Sequence, residues 1–147
     1  MTYMKTIDGL NDAQVRAILA GTKRIAVVGA SNKPDRPSYG VLRFLLRHGY
    51  EVTPVNPLLA GQEIHGRKVV ATLDEAVPLD MVDVFRAPRN VPPVVDDAVR
   101  LGANVVWMQL GVVDEAAAEK ARAVGITVVM DRCPAIEWPR LGLPPAA

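Results

Sequence analysis

The feature that most constrains this chain is the apolar, β-branched run at residues 24–28, which stops at Gly29. Such a run is typical of a buried parallel strand, because helices cover both faces of a parallel sheet. A basic loop that contains proline follows, and an amphipathic segment begins near Ser38. A strand that passes through a loop into a helix predicts an α/β unit, and the free N–H groups at the start of such a helix favour an anion.

The spacing of glycines in this loop separates it from the usual dinucleotide sites. The next glycine after Gly29 is Gly40, so the G-x-G-x-x-G fingerprint of dinucleotide enzymes is absent. The second expected strand ends at Asn56-Pro57, where NAD-binding folds usually carry an acidic residue for the ribose hydroxyls. The sequence therefore predicts a phosphate-bearing ligand that is held differently from NAD.

Strand-like and helix-like segments alternate along the whole chain. The expected strands are residues 24–28, 51–55, 81–85, 104–108 and 126–130, and the expected helices are residues 12–20, 38–48, 92–101 and 115–124. Asn11 and Asp114 are expected to cap the first and last of these helices, two small strands are expected within residues 58–73, and residues 131–147 are expected to form a tail. This alternation predicts one α/β domain over residues 1–147, with a Rossmann-like, doubly wound, five-stranded parallel sheet, helices on both faces and the strand order 3-2-1-4-5.

Charge and cysteine content exclude several classes of protein. The chain has 17 basic and 16 acidic residues, which is too balanced for general nucleic-acid binding. Its single cysteine, Cys133, excludes an internal disulfide and a cysteine-based zinc site, and no motif of paired metal ligands occurs. No run approaches the roughly 20 apolar residues of a membrane span, and residues 1–14 lack the apolar core of a signal peptide. We expect a soluble cytoplasmic protein that contacts no membrane.

The first loop carries most of the expected ligand site, because ligands of doubly wound sheets bind beyond the carboxyl ends of the strands. Gly29 permits close approach of the backbone, and Ser31 offers a hydroxyl group and an N–H group. Lys33 and Arg36 add positive charge, and Ser38 is expected to cap the following helix. The structural alternative is an ordinary turn with solvated charges.

Two further strand ends supply candidates for the nucleotide. Asn56-Pro57 is a rigid, neutral end that suits an adenine or a phosphorylated ribose, although it is also an ordinary strand terminator. Arg86 follows the third expected strand, where a guanidinium group can hold a phosphate through two hydrogen bonds. The alternative for Arg86 is an ion pair with Asp80 or Asp83.

The remaining candidates give no catalytic set. Gln109 and Gly111 offer a polar side chain and an open backbone beside the expected ligand path. His48 and His65 fall away from that path and are expected to be structural or solvent-facing rather than catalytic. Cys133 follows the fifth strand on the ligand side, where inert packing is the ordinary alternative to a reactive thiol. With no nucleophile elbow and no Walker loop, the sequence predicts a binding site without an evident reaction.

Six short motifs, in order and at matching strand ends, carry a resemblance that covers about residues 12–141. They are residues 27–31, 36–39, 55–57, 82–86, 106–109 and 130–133. With them the chain resembles the small stand-alone coenzyme A (CoA)-binding proteins of bacteria, which share a Rossmann-like domain with the N-terminal part of the succinyl-CoA synthetase α subunit. The larger synthetases carry a phosphorylated histidine in a separate downstream domain, so that activity is not carried over.

The resemblance implies that CoA or an acyl-CoA binds across the carboxyl edge of the sheet. The loop at residues 29–38 would meet the ADP and pyrophosphate portion, residues 56–57 and 86–88 would flank the nucleotide, and residues 109–111 would face the pantetheine. The residues expected at the ligand are Gly29, Ala30, Ser31, Lys33, Arg36, Ser38, Tyr39, Asn56, Pro57, Arg86, Pro88, Gln109 and Gly111.

Three functions are compatible with these residues. The leading interpretation is a CoA-binding carrier, sensor or partner module without catalysis of its own. The second is an enzyme that uses CoA or acyl-CoA, or a thiol-redox protein, in which Cys133 reacts. The third is a nucleotide-responsive regulator that works through protein contacts made by Trp107, residues 58–70 or Trp138-Pro139. Self-association and an unidentified protein partner both stay open.

Overall fold

The structure, a computed structural model, describes residues 7–146. A five-stranded, all-parallel sheet lies at its centre. The strands are β1 Arg24–Val28, β2 Glu51–Val55, β3 Glu63–Ile64, β4 Arg67–Lys68, β5 Met81–Val84, β6 Val105–Met108 and β7 Thr127–Val129, of which β3 and β4 form a separate antiparallel hairpin. The helices are α1 Asp12–Gly21, α2 Pro37–Arg47, α3 Val91–Arg100, α4 Glu115–Ala123 and α5 Pro134–Arg140.

Two apolar clusters cover the two faces of the sheet, as a doubly wound fold requires. Residues of α1, α2 and α5 cover one face, and residues of α3 and α4 cover the other. Within β5, Met81 joins the first cluster whereas Val82 and Val84 join the second. Successive side chains of a strand point to opposite faces, so a strand buried on both sides is apolar at most of its positions. The predicted fold class is confirmed.

Local signals account for the helix ends. The Asn11 side chain accepts the Gln14 N–H, and the Gln14 side chain accepts the Asn11 N–H, which completes a capping box at the start of α1. Asp114 accepts the N–H of Ala117 at the start of α4. Both caps are as predicted, because a cap depends on residues only three apart.

The predicted strand order is wrong. The five main strands lie in the order β2-β1-β5-β6-β7, so that the third along the chain pairs with β1 and not with β2. The outer edge of β2 is occupied at its end, where Val70 forms a parallel bridge with Val55. After the β3–β4 hairpin the chain crosses to the free edge of β1. The direction of winding therefore reverses between β1 and β5.

The residues after 130 do not form the expected tail, because Pro134–Arg140 make up helix α5. Proline occupies its first position, where the fixed backbone angle suits a helix and no N–H is needed. A second proline, inside the segment, is unusual in a helix, so the sequence pattern does not predict one there. Among the helices that the described residues form, none is long and apolar enough to cross a membrane.

Candidate functional site

Gly29 directly follows β1 and lies against Phe85, the residue that follows β5. Its φ angle is +87°, and a Cβ atom there would lie 2.2 Å from the carbonyl oxygen of Phe85. Its N–H donates to the carbonyl of Val55 at the end of β2, at 3.0 Å. Only glycine combines this backbone angle with this close approach. The loop after β1 therefore begins at the reversal of winding, the place where α/β sheets bind ligands.

A cavity of about 590 Å³, here called the main cavity, opens beyond these strand ends. It lies within the range of about 300–1,000 Å³ that is usual for small-molecule sites. The main cavity is lined by Gly29, Ala30, Ser31, Asn32, Lys33, Arg36, Pro37, Ser38, Val41, Asn56, Leu58, Leu59, Phe85, Gln109, Leu110, Val112 and Cys133. Eight of the residues expected at a ligand are in this lining, namely Gly29, Ala30, Ser31, Lys33, Arg36, Ser38, Asn56 and Gln109.

Ser38 does not cap α2, which corrects the prediction. Arg36 occupies the cap position without a side-chain hydrogen bond, and Ser38 lies inside the helix. The buried Ser38 Oγ accepts the N–H of Ser31 at 3.0 Å, and the Ser31 Oγ accepts the N–H of Lys33 at 3.1 Å. The two hydroxyl groups fold the loop back onto the helix. Lys33 and Arg36 are exposed at the mouth of the main cavity.

Asn56 joins the loops that follow β1 and β2. Its Nδ2 donates to the carbonyl of Ala30 at 2.8 Å, and its Oδ1 accepts the N–H of Leu58 at 2.9 Å. A carboxylate could not donate the first of these bonds, because an ionised Asp accepts only. The uncharged Asn-Pro pair at the end of β2 therefore holds the first loop in position through the hydrogen bond from Asn56 to Ala30.

Arg86 and Pro57 line a second, smaller cavity of about 300 Å³ beside α3, here called the side cavity. Gly29 and Asn56 line both cavities. Neither alternative partner of Arg86 binds it: within residues 7–146 Arg86 forms no ion pair, and Asp80 instead accepts the N–H groups of residues 23 and 24. The guanidinium group of Arg86 is thus available to the side cavity.

Gln109 and Cys133 both line the main cavity, and they follow the neighbouring strands β6 and β7. The Trp107 Nε1–H donates to the Arg132 carbonyl at 2.8 Å, and the Arg132 N–H lies 3.4 Å from the Met108 carbonyl. These contacts fix the residues that directly precede Cys133 and Gln109. Gln109 is 5% exposed, and its Oε1 has no hydrogen-bond partner among the described residues.

A buried ionic cluster, missed by the sequence analysis, holds the segment before Cys133. Arg132 binds Asp8 at 2.8 Å and Glu137 at 2.6 Å. Burial by itself would raise the pKa of Asp8, but hydrogen bonds from Arg132 and from two backbone N–H groups lower it on balance. Burial by itself would also raise the pKa of Glu137. Hydrogen bonds from Arg140 and Arg132 outweigh this effect, so the pKa of Glu137 is lowered. The pairs span up to 124 residues, so no local pattern indicates them.

Asp83, which the sequence offered only as an alternative partner of Arg86, is instead buried without a partner among the described residues. It is 0% exposed, and neither carboxyl oxygen has a hydrogen-bond partner among the described residues. Burial raises its pKa well above the usual value, because removal from water disfavours the ionised form of the carboxyl group. In the register of the sheet Asp83 lies between Val27 and Trp107, two residues before Phe85 in the cavity wall.

Three of the expected ligand residues line neither cavity. The Tyr39 ring packs on His65 with 4.2 Å between the ring centres, and Pro88 begins a short turn before α3. The Gly111 N–H donates to the Asp131 carboxylate at 2.8 Å. Residues 7–146 contain no group of three or more His, Cys, Asp or Glu side chains that could hold a metal ion.

Comparison with known proteins connects this chain to one family of domains. A family model described as a CoA binding domain matches residues 23–139. Uncharacterized protein YneT of Bacillus subtilis (strain 168) is 42% identical over 122 residues, which are 82% of this chain and 89% of that protein. A hypothetical protein from Pyrococcus horikoshii OT3 has a solved structure that superposes with a TM-score of 0.89 at 40% identity, covering 96% of this chain and 99% of the other.

A longer relative shares only part of its length with this chain. The alpha subunit of acetate–CoA ligase (ADP-forming) I from Pyrococcus furiosus is 33% identical over 93 residues, which are 60% of this chain. The aligned region is 20% of that subunit.

Proposed function

Because this chain belongs to the family of CoA binding domains, we propose that it binds CoA in the main cavity as a carrier, sensor or partner module without catalysis of its own. One observation carries the proposal. The main cavity is lined by two exposed cations, Lys33 and Arg36, and by the buried Gln109, whose Oε1 has no hydrogen-bond partner among the described residues. CoA has matching chemistry, with phosphates at one end and amide N–H groups along its pantetheine arm.

The phosphate end of the proposed complex rests on the first loop. Lys33 and Arg36 are both exposed there, and no side chain of the described residues caps the first turn of α2. The N–H groups of that turn favour an anion together with the two cations. Arg86, in the side cavity beyond Gly29, offers a third cation for a phosphate of the nucleotide.

The pantetheine end of the proposed complex depends on the apolar residues and on Gln109 in the lining of the main cavity. Val41, Phe85 and Val112 give an apolar wall against which the arm can pack. The Gln109 Oε1 lacks a donor, and an amide N–H of the pantetheine would supply one. Leaving a buried acceptor without a partner costs the protein about 1–3 kcal/mol of free energy. A ligand that supplies the missing donor removes this cost when it binds, and its affinity is higher for that reason.

The lining also supports binding over catalysis. Among the described residues that line the main cavity, none is a histidine, an aspartate or a glutamate, the side chains that most often act as general acids and bases. The His48 ring stacks on Phe44, and His65 packs on Tyr39. Cys133 therefore has no histidine beside it in the cavity lining to act as its base.

A thermal-shift assay with CoA and NAD tests the proposal, because a ligand that binds only the folded protein raises its Tm. We expect CoA to raise the Tm clearly more than NAD does at equal concentration. Equal shifts, or no shift with CoA, would overturn the proposal. Native mass spectrometry of the freshly purified protein would report bound ligand and subunit number together.

The double variant Lys33→Ala/Arg36→Ala tests the phosphate end. We expect CoA affinity to fall by about tenfold, equivalent to about 1.4 kcal/mol, and to depend less on salt. Arg43→Ala/Arg47→Ala is the matched control, since both arginines are exposed on α2 and neither lines the main cavity. If the two double variants bind CoA equally well, the first loop is not the phosphate site.

A further inference from the structure

Simple carriage of CoA does not require a thiol in the binding cavity, yet Cys133 lines the main cavity together with Gln109. Cys133 is the only cysteine of the chain, it is 8% exposed, and it lines the main cavity. Gln109, 95% buried by the same measure, lines the cavity with its Oε1 unpartnered. An acceptor of this kind calls for an N–H donor from a ligand, and a thiol lies beside it at the end of the neighbouring strand.

The spacing of groups in pantetheine matches this pair. Its terminal amide N–H is separated from its thiol sulfur by only two carbon atoms. A pantetheine arm that donates its terminal N–H to Gln109 would therefore place its sulfur near Gln109, in the cavity that Cys133 also lines. The residues directly before Gln109 and Cys133 are in contact, with the Arg132 N–H 3.4 Å from the Met108 carbonyl.

We propose that Cys133 is a thiol–disulfide exchange site for CoA, and that this chain stores CoA as a mixed disulfide when the CoA pool is oxidised. This inference rests on the proposed binding of CoA in the main cavity. The co-reactant is a disulfide of CoA. The Cys133 thiol gives up its proton, and its sulfur attacks one sulfur of that disulfide. One sulfur–sulfur bond forms to Cys133 as the bond within CoA disulfide breaks, and the departing CoA thiolate takes up the proton.

The structure holds Cys133 firmly in place for such an attack. Its carbonyl accepts the N–H groups of Ile136 and Glu137 at 3.0 and 2.9 Å, and the ionic cluster around Arg132 directly precedes it. A fixed sulfur beside a bound reactant reacts faster than a freely diffusing pair does, because the orientation is provided in advance. Selectivity for CoA over other disulfides would then come from the binding site and not from the thiol alone.

Intact-mass spectrometry of the full chain after incubation with CoA disulfide tests this inference. We expect one CoA adduct per chain, reversed by dithiothreitol and absent in Cys133→Ser. The adduct should form about tenfold or more faster than the adduct with glutathione disulfide at equal concentration, because only CoA is held by the cavity. Lys33→Ala/Arg36→Ala should slow the CoA adduct by a larger factor than the glutathione adduct, whereas Arg43→Ala/Arg47→Ala should change neither.

The outcomes separate this inference from the proposed function. If reduced CoA raises the Tm of the wild type but CoA disulfide forms no adduct, the exchange site is wrong and the binding proposal stands. Equal rates with the two disulfides would show an ordinary accessible thiol and would also overturn the exchange site. If reduced CoA gives no thermal shift, the binding proposal fails first, and adduct formation at the glutathione rate then removes this inference with it.

Discussion

Replacing Asp83 with asparagine should change how the stability of this protein depends on pH. Asp83 is 0% exposed without a hydrogen-bond partner among the described residues, and burial raises its pKa well above the usual value. The unfolded chain releases this proton near pH 3.9, roughly the ordinary value for Asp. At any pH between these two pKa values, folding takes up one proton. The free energy of unfolding therefore falls by about 1.4 kcal/mol for each unit of rising pH in this window.

The direction of this effect is opposite to that of the ionic cluster. The stabilisation from Asp83 is complete below the unfolded-state pKa and is lost as the pH rises through the native-state pKa. Asp8 and Glu137 have lowered pKa values, so their stabilisation is lost as the pH falls. A comparison of wild type with Asp83→Asn cancels the latter contribution, because both proteins contain the cluster.

Urea unfolding at a series of pH values from about 4.5 to 7.5 measures this difference. Fluorescence of the buried Trp107 reports on the core. We expect the stability of Asp83→Asn relative to wild type to grow by about 1.4 kcal/mol for each pH unit, up to the native-state pKa of Asp83. Asp35→Asn removes a carboxylate at an exposed position and is the matched control. A constant difference between wild type and Asp83→Asn would show that Asp83 is ionised in the folded protein, which would refute the reasoning.

Two further predictions concern the backbone and the ionic cluster. Gly29→Ala should destabilise the fold by more than about 2 kcal/mol, because strain at a positive φ angle adds to a contact of 2.2 Å with a backbone oxygen. Gly40→Ala, on an exposed turn of α2 with open space around it, should stabilise by about 0.5–1 kcal/mol in the same urea assay. Asp8→Asn should cost about 3–5 kcal/mol because it leaves Arg132 buried with less compensation. Asp12→Asn, which breaks an exposed pair, should cost much less than Asp8→Asn does; similar losses for the two aspartates would contradict the argument from burial.

Much of the fold follows from local sequence. The bounds of β1 and β2 agree with the prediction at residues 24–28 and 51–55, because glycine and proline end each apolar run. The Asn11 capping box and the hairpin within residues 58–73 are also confirmed. Helix α5 was missed because two prolines in seven residues hide its periodicity.

The residues of the candidate site also differ in how far local sequence predicts them. Gly29 and the basic residues after it stand out in the sequence because a strand, a loop and a helix start follow one another directly. Whether a given loop residue reaches the cavity is not a local property. Tyr39 lies in the first turn of α2, and Pro88 and Gly111 follow β5 and β6, yet none of the three lines either cavity.

By itself, the sequence determined the α/β class, the ends of most elements, the loop at Gly29 and the family resemblance. These depend on hydrophobic period, turn residues and caps, which act over a few neighbouring residues. Only the tertiary structure decided the order of the strands, the isolation of Asp83 and the meeting of Gln109 with Cys133. Each of these depends on contacts between segments far apart in the chain, which are selected by how the whole sheet and its helices pack. Arg132 shows the difference most directly, since its partner Asp8 lies 124 residues away.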